Sequence, residues 1–155
     1  MSRATLRAAL VTFLSQNVAG IKTVYSSFPK TVLGTDMMDP TVPSGCFAVI
    51  SFGAEREQRV ALGGPHSGEK RVDSTVELHL FFRSTRTMAE DAMGDFDALV
   101  ENVKTLIRSD RTIGGGAWQA GEDMNTRYSD PVMVGQNVDI WGVVVFTATE
   151  WLVGT

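Results

Sequence analysis

Apolar residues recur at helical spacing in two segments of the chain. The first segment predicts an amphipathic helix over residues 3–16, and the second predicts a longer helix over residues 87–108. Acidic residues in the first turns of the second segment, and Arg108 near its end, suit the dipole of a helix. The apolar positions are Leu6, Leu10, Phe13 and Leu14 in the first helix, and Ala92, Met93, Phe96, Leu99, Val100, Val103, Leu106 and Ile107 in the second. Each helix therefore has one side that we expect to pack against the rest of the protein.

Short apolar runs and alternating positions predict strands elsewhere. Residues 21–26 are predicted as a short strand, and residues 46–52 as a buried one, because this run is short and rich in β-branched and aromatic residues. A charged segment at 54–62 and a glycine-rich turn at 63–68 lead into a long strand at 69–84, which predicts a β-hairpin. One face of the long strand is apolar, and the other is polar and carries Arg71, Asp73, Thr75, Glu77, His79 and Arg83.

The last strand, predicted over residues 137–153, is largely apolar on both faces. Such a strand must be covered on both sides, and two helices can cover only one face of a sheet. The pattern therefore predicts an α+β fold, in which an antiparallel sheet of about four main strands carries both helices on one face. A long charged hairpin, long loops including 28–45, and a segment at 114–130 that begins with a glycine cluster and matches no firm pattern complete a single domain over residues 1–155. The second face of the last strand is predicted to lie against these loops or a neighbouring subunit.

Composition narrows the classes of function. With 43% apolar and 21% charged residues, the chain of 155 residues is neither disordered in type nor typical of a membrane protein. A net charge of −4 disfavours tight binding of nucleic acid, since such surfaces are normally strongly basic. Cys46 is alone, which excludes an intrachain disulfide and favours a reducing, cytosolic site of synthesis. The apolar run near the N-terminus is short and interrupted by Thr12 and Ser15, which fits an amphipathic helix better than a signal peptide. No other stretch approaches the ~18 apolar residues of a membrane span, so we expect no membrane partner.

No segment has the residues of a recognised catalytic, cofactor-binding or metal-binding motif. Residues 63–70 space two glycines as a P-loop does, but Glu69 stands where the phosphate-binding lysine is required, and a strand follows instead of a helix. The glycines at 114–116 follow a helix, which is the wrong context for a dinucleotide fingerprint. His66 and His79 lack partners at metal-ligand spacing, and Cys46 is expected to be a small buried apolar residue. We therefore predict no enzyme activity and no cofactor.

Two groups of residues are candidates for contacts with partners. The tryptophans Trp118, Trp141 and Trp151 are core residues on one interpretation and interface residues on the other, because aromatic side chains are enriched at subunit interfaces. The charged residues of the predicted hairpin form either a solvated surface or an arm that reaches a partner. The hairpin candidates are Glu55, Arg56, Glu57, Arg59 and Arg71.

The order of elements also resembles a known family. A short amphipathic helix, a proline-rich loop, the strand at 46–52 and a charged hairpin are followed by Val-Glu-Leu-His-Leu-Phe-Phe at 76–82. The long helix then ends in Leu-Ile-Arg-Ser-Asp-Arg at 106–111, and the chain closes with Trp-Gly-Val-Val-Val-Phe-Thr-Ala-Thr-Glu at 141–150. Over nearly its whole length the chain is similar to minor tail and neck proteins of long-tailed bacteriophages, and most similar to the tail terminator family.

This resemblance implies a structural virion protein without catalytic residues. Six copies would form a ring at the head-proximal end of the tail tube, assembled in the host cytoplasm. The ring would end polymerisation of the tail tube protein, present a surface to head-completion proteins, and let DNA pass as cargo. A head-completion or connector protein and a tail-tube protein remain alternatives within the same class. A small-molecule or peptide-binding module, with glycine-rich loops at the rim of a pocket, is the alternative of a different class, as is an unrecognised enzyme.

Overall fold

The computed structural model describes residues 3–18, 20–29, 42–60, 68–115, 117 and 119–153. The described part of the chain forms two helices and six strands. The helices are α1 (Arg3–Asn17) and α2 (Ala89–Ser109), so both predicted helices are confirmed to within two residues at each end. The strands are β1 (Ile21–Tyr25), β2 (Gly45–Arg59), β3 (Glu69–Ser84), β4 (Gln119–Tyr128), β5 (Val132–Val134) and β6 (Asn137–Val153).

All six strands belong to one mixed sheet. The strand order is β1-β2-β3-β6-β4, and β5 pairs with β6. Strand β1 runs parallel to β2, whereas every other pairing is antiparallel. The α+β class is therefore confirmed, but the predicted antiparallel sheet of about four main strands matches only in part, because the sheet has six strands and one parallel pair. Strand β4 lies within the segment 114–130 and β5 follows it, and neither was predicted as a strand. The parallel direction of β1 is not visible in a local pattern.

Both helices pack on the same face of the sheet, as predicted. The buried sides of α1 and α2 form one cluster with the residues of β2, β3 and β6 that point to that face. Gly142 of β6 allows the Phe96 ring of α2 to lie directly on the strand, since a Cβ at this position would stand 2.8 Å from Phe96 Cζ. The principal strand residues of this core are Cys46, Ala48, Ile50, Val76, Leu78, Leu80, Ile140, Val144 and Phe146.

The predicted hairpin of β2 and β3 is confirmed, with Gly45 opposite Arg83 and Arg59 opposite Lys70. It is not a free two-stranded arm, because β6 pairs with β3 along the whole strand, from Ser84 opposite Val138 to Glu69 opposite Val153. The charged end of the hairpin is thus one side of a three-stranded sheet. Residues 61–67 of its turn, and residues 30–41 of the segment predicted as a long loop, lie outside the described residues.

Candidate interaction surface

The sheet face opposite the helices is covered unevenly. At one end, Val42 and Phe47 are buried together, and Tyr25 packs against them. Val49 and Val143, in the middle of the face, are also buried. The exposed aromatic residues beside them are Phe28, with 57% of its surface accessible, and Trp141, with 41%. The residues at the centre of this face are therefore buried, whereas large apolar side chains beside them remain exposed to solvent.

Four rings on this face form a continuous group, which we call the aromatic cluster: Phe28, His79, Phe81 and Trp141. The His79 ring meets Phe28 edge-on at a centroid distance of 4.8 Å and stacks on Trp141 at 5.7 Å. The Phe81 ring stacks on Trp141, with a centroid distance of 6.2 Å. Strand register explains the arrangement, because Phe81 is the direct partner of Trp141 and His79 lies two residues earlier on the same face.

His79 is buried within the aromatic cluster, with 9% of its surface accessible. Neither ring nitrogen has a hydrogen-bond partner among the described residues, and Nε2 lies 3.5 Å from Glu77 Oε2. The prediction that this face of β3 is simply polar is wrong at His79, because Phe28 and Trp141 cover the ring. Trp141 belongs to β6 and Phe28 follows β1, so both rings that cover the imidazole come from segments far from His79 in the sequence.

The same prediction also fails at Arg83, whose side chain is fully buried. Its Nε and Nη2 donate hydrogen bonds to the two carboxylate oxygens of Asp139, both at 2.7 Å. A further hydrogen bond, from Nη1 to the carbonyl oxygen of Val42, measures 3.4 Å. Arg83 and Asp139 are direct partners in the β3–β6 register, so the pairing of the strands aligns the planar guanidinium with the carboxylate.

A hollow of about 310 Å³ lies beside the aromatic cluster, at the hairpin of β5 and β6. Its walls are mainly apolar side chains from β3, β5 and β6, and Trp141 borders both the hollow and the cluster. Met133, next to the hollow on β5, is exposed. The residues lining the hollow are Phe81, Phe82, Ser129, Val132, Val134, Asp139, Ile140 and Trp141. The exposed apolar surface thus continues from the aromatic cluster to the edge of the sheet.

The alternation of β2 and β3 divides the charged residues of the predicted arm between two faces. Glu55 and Glu57 lie on the helix side, where Glu57 forms an ion pair with Lys70 at 2.7 Å, and Arg59 alternates onto the same side. Arg56 and Arg71 lie on the opposite side. The five predicted residues therefore do not form one charged surface.

The predicted tryptophans are also separated. Trp151 is half-buried and lines a hollow of about 490 Å³ with Arg56 and Arg71. Trp141 is ten residues away along β6, which corresponds to about 33 Å in an extended strand. Both lie on the sheet face that the helices leave uncovered, as the alternation predicted. Trp118 lies outside the described residues.

Asp73 accepts two hydrogen bonds on this face. Thr149 Oγ1 donates to Asp73 Oδ1 at 2.7 Å, and Arg71 Nε donates to the same oxygen at 2.9 Å. Burial by itself would raise the pKa of Asp73, but the hydrogen bonds from Thr149 and Arg71, with the charges of Arg71 and Arg56, together lower it below the usual range. The lowered pKa means that ionised Asp73 stabilises the folded state above the pKa of the unfolded chain, and that this contribution disappears as the pH falls through the folded-state pKa.

Replacing Thr149 by Val is therefore expected to destabilise the protein in a pH-dependent way. Loss of a hydrogen bond to an ionised carboxylate should lower the free energy of unfolding by about 1.5–3 kcal/mol near neutral pH. The difference from wild type should shrink as the pH falls through the lowered folded-state pKa of Asp73, because the carboxylate is then protonated. Urea titrations at neutral pH and at a series of acidic pH values measure this, with Thr147→Val as the control, since Thr147 is exposed on the same strand face. An unchanged difference at acidic pH would show that Thr149 does not act through the charge of Asp73.

Cys46 is fully buried on the helix side of β2, as predicted for a small apolar residue. Burial raises the pKa of its thiol to about 12, so the thiol carries almost no thiolate at neutral pH. Among the described residues, no group of three or more His, Cys, Asp or Glu side chains is arranged to hold a metal ion. The two described helices are not long and apolar enough to cross a membrane.

Sequence reasoning missed Phe28 and Phe81 as part of the interaction surface. Phe81 carries a local signal, because it continues the β3 face that includes Glu77 and His79 and ends that face in an apolar residue. Phe28 carries none, since it belongs to a proline- and glycine-containing segment without periodicity. No family model and no curated protein sequence matches the chain.

Proposed function

We propose that the protein is a structural subunit of a bacteriophage tail: a tail terminator that closes into a ring, with six copies, at the head-proximal end of the tail tube. The ring ends tube polymerisation and joins the tail to the head. Its partners are other copies of the chain, the tail tube protein and a head-completion protein, with DNA passing through. The resemblance of the sequence supports the place in the virion, and the aromatic cluster supports assembly with other copies.

The observation that carries the assembly is the exposure of Phe28 and Trp141 beside the apolar hollow. Large aromatic side chains are the residues that most often anchor subunit interfaces, because each buries a wide area with little loss of conformational freedom. Covering the exposed part of Trp141 alone would contribute on the order of 2 kcal/mol to each contact. A patch that binds a different surface of the next copy makes a head-to-tail contact, and such contacts form a ring when the rotation between neighbouring copies closes.

Assembly is tested by measuring molar mass over a concentration series, alone and with tail tube protein. A six-membered ring has about six times the subunit mass of 16.8 kDa. Trp141→Ser should shift the distribution towards monomer, because it removes the central ring of the cluster. Met88→Ser is the control, since Met88 is also an exposed large apolar residue but precedes α2. A wild-type protein that stays monomeric in both conditions, or a Trp141→Ser protein that assembles normally, would contradict the proposal.

A second candidate function is a binding module for an apolar peptide or small molecule. The hollow bordered by Phe81, Val132 and Trp141 favours it, because its walls are largely apolar and its volume of about 310 Å³ is sufficient for a small ligand. A module of this kind has no need to assemble. A monomeric wild-type protein, together with saturable quenching of tryptophan fluorescence by an apolar peptide, would favour this function over the ring.

Duplex DNA should bind weakly to the assembled protein. Each subunit carries a net charge of −4, and tight binding to DNA depends on lysine and arginine displacing counterions from phosphates. We expect a dissociation constant no tighter than about 10⁻⁶ to 10⁻⁴ M at physiological salt, which is typical of non-specific binding. Fluorescence anisotropy with labelled duplex measures this. A nanomolar complex with a steep salt dependence would instead indicate a DNA-binding function.

A further inference from the structure

We propose that Arg3 and Arg7 of α1 bind the acidic outer face of α2 in the adjacent copy of the chain. The inference deepens the proposed function and rests on it, because it identifies a contact between neighbouring subunits of the assembly. It concerns the helix side of the sheet, whereas the aromatic cluster lies on the opposite side.

Arg3 and Arg7 form an unusual pair of cations on the surface of α1. They are four residues apart, which places both side chains on one flank of the helix. Each guanidinium carbon lies 5.1 Å from the centroid of the Phe52 ring. A cation is attracted to an aromatic face, but two cations that share one ring repel each other. The arrangement places two positive charges beside one aromatic ring, and Arg3 also borders a hollow that Glu55 and Glu57 line.

Neither guanidinium of this pair forms an ion pair with a carboxylate of the described residues. Arg7 Nε is in addition buried and without a hydrogen-bond partner in the same part of the chain. Several other arginines are paired: Arg71 with Asp73, Arg83 with Asp139, Arg86 with Asp95 and Arg108 with Glu101. The outer guanidinium nitrogens of Arg7 are not among these buried atoms, so a carboxylate supplied by a partner can bind them with charge-assisted hydrogen bonds.

A complementary surface exists on α2 of the same chain. Glu90 and Asp97 lie seven residues apart, on one stripe of the helix, and Asp91 is beside them. All three side chains are exposed, and within the described residues they form no ion pair. The acidic stripe therefore presents exposed carboxylates on two turns of α2 that can bind cations.

The two surfaces occupy different parts of the sheet. Helix α1 packs against β1 and β2, whereas α2 packs against β6 and β4. In the strand order β1-β2-β3-β6-β4, these pairs are at opposite edges. Copies placed side by side, edge to edge, would bring α1 of one copy towards α2 of the next. A contact between two different surfaces is head-to-tail, which is the kind that a closed ring requires.

A charge exchange tests the contact. The first variant, Arg3→Glu/Arg7→Glu, and the second, Glu90→Arg/Asp97→Arg, should each weaken self-association by about 10- to 100-fold, because each places like charges opposite one another. Mixed in equal amounts, the two variants should recover assemblies that contain both. The control, Arg111→Glu/Arg127→Glu, makes the same change of net charge at exposed positions elsewhere and should assemble as wild type does. Sedimentation velocity measures the masses, and circular dichroism verifies that each variant is folded.

The outcomes separate this inference from the proposed ring. If wild type forms the ring and both reversals leave it intact, or if mixing fails to recover assembly, the α1–α2 contact is overturned while the ring stands. If wild type forms only dimers or open chains, and mixing recovers them, the contact stands while the ring function fails. Wild type that remains monomeric throughout the series, with and without tail tube protein, would overturn both. Recovery that weakens as salt is added would further support an ionic contact.

Discussion

Replacing Arg83 by Met is expected to lower the free energy of unfolding by about 3–5 kcal/mol, since removal of one partner leaves the other charge of a buried pair without compensation. The Arg83 side chain is fully buried, and Asp139 is 17% exposed, so little water can replace the two 2.7 Å hydrogen bonds. The same change removes the hydrogen bond to the Val42 carbonyl, which holds the segment before β2 against β3. Chemical denaturation followed by circular dichroism measures the loss.

A second variant distinguishes the loss of a charge pair from a general packing defect. Arg83→Met/Asp139→Leu removes both charges and should recover most of the stability, because an apolar pair of similar size is often as stable as a buried ion pair. Arg86→Met is the control for an exposed pair: Arg86 and Asp95 lie on the surface, and the change should cost less than about 1 kcal/mol. If Arg83→Met and the double variant are equally stable, the unpaired Asp139 carboxylate does not cause the loss of stability.

Replacing Gly121 by Ala should destabilise the protein by roughly 3 kcal/mol, from two effects that act together. Gly121 has a φ of +70°, in the left-handed region that favours glycine, and it lies where the β4–β6 register shifts between Ala120 and Met124. A Cβ there would also stand 2.4 Å from Cγ2 of Ile107. Because Ile107 is fully buried on α2, its side chain has no free space into which to move.

Two other glycines separate these effects. Gly115 has a φ of +90° with open space around its Cβ position, so Gly115→Ala reports the backbone strain alone, about 1–2 kcal/mol. Gly94 is in α2 and also has open space, so Gly94→Ala should stabilise the protein by about 0.5–1 kcal/mol. Thermal unfolding of the three variants gives the comparison. A Gly121→Ala protein no less stable than Gly115→Ala would show that β4 can move away from α2 at no cost.

Strand β4 matters for the proposed assembly because it is the edge strand beside α2. Its sequence, Gln-Ala-Gly-Glu-Asp-Met-Asn-Thr-Arg-Tyr, contains three charged residues, and its pairing with β6 is interrupted by a register shift. Both features prevent indiscriminate pairing of sheet edges. An edge protected in this way favours contact through side chains over continuation of the sheet. The ionic contact proposed for α2 and the aromatic cluster on the other face are both of that kind.

The sequence by itself determined those helices and strands whose apolar residues recur at a regular spacing. The apolar stripes of α1 and α2, and the alternation along β3 and β6, place one side of each element in the core, because burial of that side is the largest favourable contribution to its position. The same alternation correctly assigned Trp141 and Trp151 to the face without helices. The hairpin of β2 and β3 was predictable because its two arms are adjacent in sequence and joined by a glycine-rich turn.

Only the tertiary structure decided which polar residues are buried and which aromatic residues meet. Phe28, His79 and Trp141 form one cluster although they are far apart in the chain, and Arg83 reaches Asp139 across 56 residues. Strand β4 pairs with β6 through backbone hydrogen bonds, which almost any sequence can form at the edge of an existing sheet, so its residues carry little pattern of their own. Contacts between distant segments depend on the packing of the whole sheet, and no local pattern of apolar and polar positions contains that information.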